Sequence, residues 1–289
     1  MENKKLSIII VTYNSSGIIE EALYAIEMYN DIGNGLEVIV VDNASRDTVQ
    51  LEKILKRSTL DIKFIKAVIN KGYGAGNNIG IGSSSAPLIM IMNPDVRLLH
   101  PIFSEIVRNF SQDASLAIAG LQQYENTDRI KNHSFIISSP NPIKLILHKF
   151  AVRLNYFNSA LFCFSGACFV IRKSSFLQAG GFDNEIFLYG EESDLQYRVK
   201  KSADANKISF FKSLGYLHKT HDRNLDISSH LEGVQSFLHS AQKRGISKDK
   251  MLNKIIRFYR FIYWYNTLKM SQHSSFYREL NTEIAKLKK

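Results

Sequence analysis

The chain has 289 residues, 45% of them hydrophobic and 22% charged, which suits one large globular domain, or one domain with an appendage, around a sizeable core. Its formal net charge of +10 is uneven: residues 1–195 carry 18 Lys/Arg against 20 Asp/Glu, and residues 196–289 carry 19 against 7. The basic character therefore belongs to the last third, which would suit an anionic surface or simply a solvated face. Two cysteines, Cys163 and Cys168, exclude a disulfide framework and a cysteine zinc site, and both are expected to be reduced core residues. The apolar run Leu6–Val11 is too short for a signal peptide. No run approaches the ~18 apolar residues of a transmembrane helix, so a cytoplasmic chain is expected.

In chain order, Leu6–Val11, Leu36–Val41, Asp61–Lys66 and Leu88–Met92 read as strands, the first three as strands buried on both faces of a parallel sheet. Gly17–Tyr29, Arg46–Arg57 and Ala75–Ser83 read as the helices between them, with Ser16 and Ser45 as N-terminal caps. This alternation predicts a doubly wound α/β half-domain. Further on, His100–Phe110 reads as a helix and Leu116–Gln122 as a strand, with 123–141 as loops or a hairpin. Phe162–Ile171 reads as one strand, a helix runs from about Glu191 to Lys201, and Lys207–Phe211 is a short strand leading to His218. From Asp226 onward the pattern is helical, with a break at Gly245. The expected division is a catalytic domain over 1–225 and a basic, aromatic-rich helical region over 226–289.

Ligands of open α/β sheets bind outside the carboxyl ends of the strands, and polar clusters follow all four early strands. They are Thr12-Tyr13-Asn14, Asp42-Asn43, Asn70–Asn78 and Asn93-Pro94-Asp95. Tyr13 could stack on a base, and Asp42 could accept from a pyrimidine imide or merely close a turn. The glycines from Gly72 to Gly76 follow the third strand, not the first, which argues against a dinucleotide fingerprint. They allow close approach to a ligand or to a neighbouring element, and Asn78 can offer its amide. Asp95 is a candidate ligand for Mg²⁺ or Mn²⁺, and Asn93 could add an oxygen or bind a sugar hydroxyl. Glu191, Glu192 and Asp194 open a helix, where acids meet the positive end of its dipole. One of the two adjacent glutamates could be a general base, while Asp194 also faces Arg198 at i,i+4. His218 or His221 could complete the metal shell.

With these motifs in place, the sequence resembles family 2 glycosyltransferases of the GT-A fold, and among them the bacterial rhamnosyltransferase-like branch, over roughly residues 5–225. Ser7–Asn14, Val40–Ser45, Asn70–Asn78 and Asn93-Pro94-Asp95 carry the likeness, joined by Ser165-Gly166-Ala167, Gly180-Gly181-Phe182-Asp183 and Glu191–Leu195. The resemblance implies an α/β chain in which a Rossmann-like nucleotide-binding half-sheet meets a mixed acceptor-side sheet and C-terminal helices. It places Thr12, Tyr13, Asn14, Asp42, Asn43, Gly72, Asn78 and Asn93 at the nucleotide-sugar. Asp95 becomes the metal-binding acid of a degenerate D-x-D motif whose first position is Asn93, with His218 as a further ligand and His221 as its fallback. The catalytic base maps to Glu192, where the family commonly has Asp, with Glu191 and Asp194 as acceptor or support residues. An acid common before Ser-Gly-Ala in relatives is missing from Phe162-Cys163-Phe164.

The implied activity is inverting, metal-dependent transfer of rhamnose or another hexose from a dTDP- or UDP-sugar. The acceptor would be a glycan or a polyprenyl-diphosphate-linked sugar of a surface polysaccharide such as O-antigen or capsule. Lys254–Lys269 and Ile143–Leu154 interleave aromatic, apolar and basic residues, which suits peripheral contact with an anionic inner membrane face or a helix docked on the domain. Two rival readings are weaker. A sugar-1-phosphate nucleotidyltransferase needs a Gly-rich basic loop after the first strand, and Thr12-Tyr13-Asn14-Ser15 is not one. A non-catalytic nucleotide- or nucleic-acid-binding module has no use for the ordered acidic motifs, so no nucleic-acid partner is expected.

Overall fold

The computed structural model describes residues 3–126, 134–203, 206–219 and 226–288. Strand β1 (Leu6–Thr12) is buried at every position, as a near-continuous apolar run requires when both faces are covered. It pairs in parallel with β2 (Leu36–Asp42) on one side and β4 (Leu88–Met92) on the other, and β2 pairs in parallel with β3 (Ile62–Lys66). All four strands start and end within a residue of expectation. β3 differs in burial: it is the edge strand and none of its residues is fully covered.

Helices α1 (Ser16–Met28), α2 (Thr48–Leu55) and α3 (Tyr73–Gly82) connect these strands. The expected caps do not form, and the N-cap residues Ser15 and Asp47 make no side-chain cap bond of their own. The two loops cap across to each other instead. Asp47 Oδ2 accepts from the Ser16 N–H at 2.9 Å, and Ser45 Oγ accepts from the Asn14 N–H at 2.9 Å. Side-chain oxygens near the helix starts were legible in the sequence, but which backbone donors they meet depends on how the loops pack.

The chain continues through β5 (Arg97–Leu98), β6 (Leu116–Tyr124), β7 (Phe135–Ile137), β8 (Phe162–Phe164), β9 (Cys168–Arg172) and β10 (Lys207–Leu217). Helices α4 (Phe103–Gln112), α5 (Pro142–Arg153), α6 (Lys173–Gln178) and α7 (Glu191–Ser202) lie between them. The main sheet has the order β3-β2-β1-β4-β9-β6-β10-β5, and β7 pairs with β8 in a small second sheet. β9 runs antiparallel to both β4 and β6, so the parallel half becomes a mixed half at that strand.

Several boundaries move for identifiable reasons. The expected strand Phe162–Ile171 is two strands in two sheets, broken at Ser165–Ala167. At the break, Asn93 donates its N–H to the Ala167 carbonyl at 2.8 Å and Tyr73 donates its hydroxyl to the Gly166 carbonyl at 3.0 Å, which takes those groups out of a continuous ladder. α4 starts at Phe103, not His100, because the residue before Pro101 is biased away from helix. β10 runs six residues beyond Phe211, through an irregularity between Phe211 and Gly215 in its parallel register with β6.

Side chains alternate across β1. Leu6, Ile8 and Ile10 join one core with α1, α2 and α4; Ile9 and Val11 join a second core with α3, α6 and α7. Each fully buried Ile or Leu contributes about 1.5–3 kcal/mol relative to exposure, and Ile8→Ala would cost about 2–5 kcal/mol with its cavity. A third core joins α8 (Ile227–Lys243), α9 (Lys248–Leu268) and α10 (Ser274–Lys286), around Leu252, Ile255, Leu280 and Ile284. The break after α8 falls at Gly245 (φ 73°) as expected; a second break, after α9, was not. Among the described residues no helix is long and apolar enough to cross a membrane.

Candidate active site at the carboxyl ends of the strands

Thr12 closes β1 and is buried, its hydroxyl donating to the Val41 carbonyl at 3.3 Å. Tyr13 follows at 50% exposure, available for stacking. Asn14 sits at φ 52° and accepts from the Arg46 N–H at 2.9 Å, so it locks the first loop to the second. Asp42 is buried at 1% exposure. Its Oδ1 accepts from the Ser45 N–H at 3.1 Å and its Oδ2 from the Thr48 hydroxyl. Asn43 donates to Asn70 Oδ1 at 2.8 Å and to the Gly72 carbonyl at 3.0 Å, while its own Oδ1 is buried without a partner.

The glycines of the third loop serve close packing. Gly72 has φ 93°, and a Cβ there would lie 2.0 Å from the Phe187 carbonyl oxygen, to which Tyr73 donates its N–H at 3.0 Å. Further along α3, a Cβ on Gly76 would lie 2.7 Å from Val11 and one on Gly80 2.5 Å from Ile9. α3 therefore rests directly on β1 and meets the segment that leads into the acidic motif. Asn78 belongs to the same clasp: its amide accepts from the Phe182 N–H and donates to the Phe182 carbonyl and to Asn184 Oδ1, each at 2.9 Å. The structure thus places Asn78 as a bracket between α3 and the Gly181–Asn184 loop.

Asn93-Pro94-Asp95 follows β4, and the Asn93 carbonyl accepts from the Val96 N–H at 3.2 Å to close the turn. The short β5 then pairs antiparallel with the end of β10, Leu98 opposite Tyr216. That pairing brings His218 beside the turn, with its Nε2 3.4 Å from Asp95 Oδ2. The Asp95 side chain is 35% exposed and that of His218 4%. A partly solvated carboxylate beside an oriented imidazole is a donor pair that fits a divalent cation. His221 lies outside the described residues.

Tyr189 (φ 63°) and Gly190 (φ 93°) turn the chain sharply into α7, whose first turn holds Glu191, Glu192 and Asp194. The three acids have different fates. Asp194 is buried between two guanidinium groups, Arg198 Nε at 2.7 Å from Oδ2 and Arg244 Nη2 at 3.0 Å from Oδ1. Arg198 also donates to the Ala179 and Gly181 carbonyls at 2.5 and 2.6 Å. Asp194 is therefore a structural brace.

Glu191 and Glu192 have no such partners. One oxygen of each, Oε2, is buried with no hydrogen-bond partner. Burial, and then the neighbouring Glu192 charge, pushes the Glu191 carboxyl well above the usual range; burial raises that of Glu192 against backbone hydrogen bonds that lower it. A Cβ on Gly166 would lie 3.8 Å from the Glu192 carboxyl carbon and 3.9 Å from the Tyr73 ring, so these groups share one wall. Tyr73, which the sequence showed only as part of a glycine motif, is the link between this wall and the Ser165–Ala167 loop. Arg244 was not foreseen, since nothing in the sequence ties it to Asp194.

A second acidic cluster sits behind this region. Asp183 Oδ2 accepts from Lys243 Nζ at 2.6 Å and lies 3.0 Å from His239 Nε2, which is 3.3 Å from Glu185 Oε2. Burial pushes the Asp183 carboxyl up, but hydrogen bonds from Lys243, the Glu185 N–H and His239 outweigh it and hold the group at about 2. Asp183, Glu185 and His239 are close enough to share a metal ion, but Lys243 already supplies the positive charge.

A parallel half-sheet joined through β9 to a mixed half, with acids gathered at the strand ends, is the GT-A architecture of glycosyltransferases. The chain belongs to glycosyltransferase family 2, whose family model, Glycosyl transferase family 2, matches residues 7–179. It is 28% identical over 211 residues to the low-salt glycan biosynthesis hexosyltransferase Agl10 of Haloferax volcanii, covering 68% of this chain and 62% of that protein. It is 39% identical over 69 residues to the N-acetylglucosaminyl-diphospho-decaprenol L-rhamnosyltransferase of Mycobacterium tuberculosis, covering 23% of this chain and 22% of that protein. The match thus spans less than two thirds of either relative. The mannosyltransferase PcManGT of Pyrobaculum calidifontis, solved with GDP-Man and Mn²⁺, has the same fold: TM-score 0.63 at 13% identity, over 99% of this chain and 85% of that one.

Proposed function

We propose that this chain is an inverting glycosyltransferase that moves a hexose or deoxyhexose from a dTDP- or UDP-sugar to a hydroxyl of a polyprenyl-diphosphate-linked glycan precursor. The observation that carries the reading is the acidic pair, a buried Glu191 and a half-buried Glu192, each with one carboxylate oxygen enclosed without a hydrogen-bond partner beside the Ser165–Ala167 loop. A purely structural pair would resemble Asp194, saturated by cations. The acceptor class follows the decaprenol-linked substrate in the name of the Mycobacterium relative and the hexosyl transfer in that of the Haloferax relative.

The chain's own groups have these roles. Tyr13 stacks on the base, and Asp42, whose two oxygens already accept from Ser45 and Thr48, holds the loop after β2 and does not take the imide N–H expected of it. Asp95 and His218 would hold a divalent cation, which when bound supplies positive charge for the donor's diphosphate. Glu192 takes the proton from the acceptor hydroxyl. The oxygen so freed forms a bond to the anomeric carbon on the face opposite the leaving group. The carbon–oxygen bond to the diphosphate breaks, and the nucleoside diphosphate departs with the electron pair, which inverts the anomeric centre. A raised carboxyl makes Glu192 a better proton acceptor near neutral pH than an ordinary glutamate.

The reading is tested by thermal shift with a panel of nucleotide-sugars, with Mn²⁺ and with EDTA. A dTDP- or UDP-sugar should raise the melting temperature in Mn²⁺ and not in EDTA, and Asp95→Ala should lose that rise. Equal shifts in EDTA, or in Asp95→Ala, would remove the cation role; no shift with any nucleotide-sugar would remove the function.

A further inference from the structure

Beside the acidic pair lies a cavity of about 390 Å³ between α5, β8 and α7, which the transfer chemistry does not use. Four cations line it: Lys144 from α5, Lys200 and Lys201 from the end of α7, and Arg244 just past α8. No carboxylate among the described residues lines it. Lys144 Nζ donates to Ser138 Oγ at 2.9 Å and Lys200 Nζ to Ser159 Oγ at 3.3 Å, neutral partners that leave both charges uncompensated. Burial, and then the nearby Lys254 of α9, pull the Lys144 ammonium below its usual range. Lys144, held partly out of water, is costly unless an anion joins it, and the exposed Lys200 and Lys201 stand at the same pocket. Arg244 is fixed in the wall, stacked 3.8 Å over the Tyr197 ring and paired through Nη2 with Asp194 at 3.0 Å, while its Nε is buried without a partner.

Two features identify the anion. Cys163 and Ser193 form the wall toward the active site: Ser193 follows Glu192 directly, and the Glu192 charge is second only to burial in raising the Cys163 thiol. Lys200 lies eight residues (200 − 192) beyond Glu192 on α7, about 12 Å at ~1.5 Å per residue. That span suits one sugar ring whose hydroxyl lies at Glu192 and whose diphosphate lies among the lysines. On the outer side, Ile143, Ile146, Leu147, Phe150 and Leu154 form an exposed apolar stripe along α5, the helix that supplies Lys144. A basic pocket flanked by an apolar stripe fits a ligand that is anionic at one end and hydrocarbon at the other.

We infer that this pocket holds the diphosphate of an isoprenoid-diphosphate-linked acceptor, with its hydrocarbon chain along the α5 stripe. The inference rests on the glycosyltransferase reading for the meaning of the acceptor, but its binding test does not need sugar transfer. Calorimetry on the full chain in EDTA, which removes the cation that the nucleotide site needs, should use farnesyl diphosphate and inorganic diphosphate as probes, each then challenged with UDP. Farnesyl diphosphate should bind at least about tenfold more tightly than inorganic diphosphate. The double variant Lys144→Ala/Lys200→Ala should weaken both by about tenfold or more, as loss of charge-assisted bonds requires. Phe150→Gln should weaken farnesyl diphosphate alone. UDP binding in Mn²⁺ should be unchanged in every variant, which also reports that they fold. Displacement of the probe by UDP, or full affinity in the lysine variant, overturns the pocket. Equal affinity for the two probes overturns the isoprenoid assignment. Failure of the glycosyltransferase reading shows separately, as no binding of any nucleotide-sugar.

Discussion

Glu191–Glu192 and Asp183–Glu185 are both acidic clusters near the start of α7, and they have opposite character. Asp183 is held at about 2 by Lys243 and His239, so it is ionised and engaged. The glutamates are pushed upward by burial, and each keeps a buried oxygen without a partner. Asp194, three residues past Glu191, sides with Asp183, being engaged by Arg198 and Arg244. Acid density therefore does not separate these groups in this fold; how far each carboxylate is engaged does. A saturated acid stabilises the scaffold, whereas an unsatisfied one costs stability and is available to a substrate.

The largest expected effect tests the available side of that contrast. Glu192→Gln should lower sugar transfer by about 10²–10⁴, the usual worth of a general base, while nucleotide-sugar binding persists. Glu192→Asp is the finer probe, because it keeps the charge and shortens the reach by one methylene. Near-normal turnover in Glu192→Gln together with inactive Glu191→Gln would move the base one residue back.

Asp194→Ala tests the saturated side. Removing one partner of a buried ion pair costs about 3–5 kcal/mol, because the charges left behind are uncompensated. Here two guanidinium groups would be orphaned, and α7 would lose its tie to Arg244. A denaturant midpoint close to wild type would show that the brace is dispensable. Turnover measured on the fraction still folded should fall far less than in Glu192→Gln.

Much of this contrast was hidden in the sequence. The half-sheet was legible because β1, β2 and β4 are near-continuous apolar runs and the polar clusters come directly after them. The acidic motif was legible as the start of a helix. Which acid is saturated was not, because Arg244 lies 50 residues from Asp194 and Lys243 lies 60 from Asp183. The split at Ser165–Ala167 was also invisible, since it depends on contacts from Asn93 and Tyr73 that local propensity does not encode. Asp95 and His218 were readable as candidates, but their proximity depends on the two-residue strand β5.

Acid titration should sharpen the comparison further. The Asp183 carboxyl is depressed from 3.8 to about 2 in the folded chain, so its contribution is present above pH ~4 and lost as pH falls through about 2. The contribution is on the order of 1–2 kcal/mol, reduced because Lys243 is half in water. Asp183→Asn should therefore be less stable than wild type at pH 7 and equal to it near pH 2. A constant stability difference across that range would show that the clamp acts through shape and not through charge.

The smallest expected effect has the opposite sign. Glu191 has its folded carboxyl raised above the ordinary 4.5, so folding favours its protonated form. Stability from this group is full below about pH 4.5 and is lost as pH rises through the folded value, which leaves the chain destabilised at neutral pH. Glu191→Gln keeps the shape and removes the ionisation, so it should stabilise the chain at pH 7. About 1 kcal/mol is expected for removing the buried charge, or ~2–4 °C in melting temperature for a chain of this size. Wild type should close that gap as pH falls toward 4.5, because its own Glu191 then becomes neutral. A variant that melts at or below wild type at pH 7 would mean that Glu191 is engaged after all, and the distinction between the two clusters would fail at its first residue.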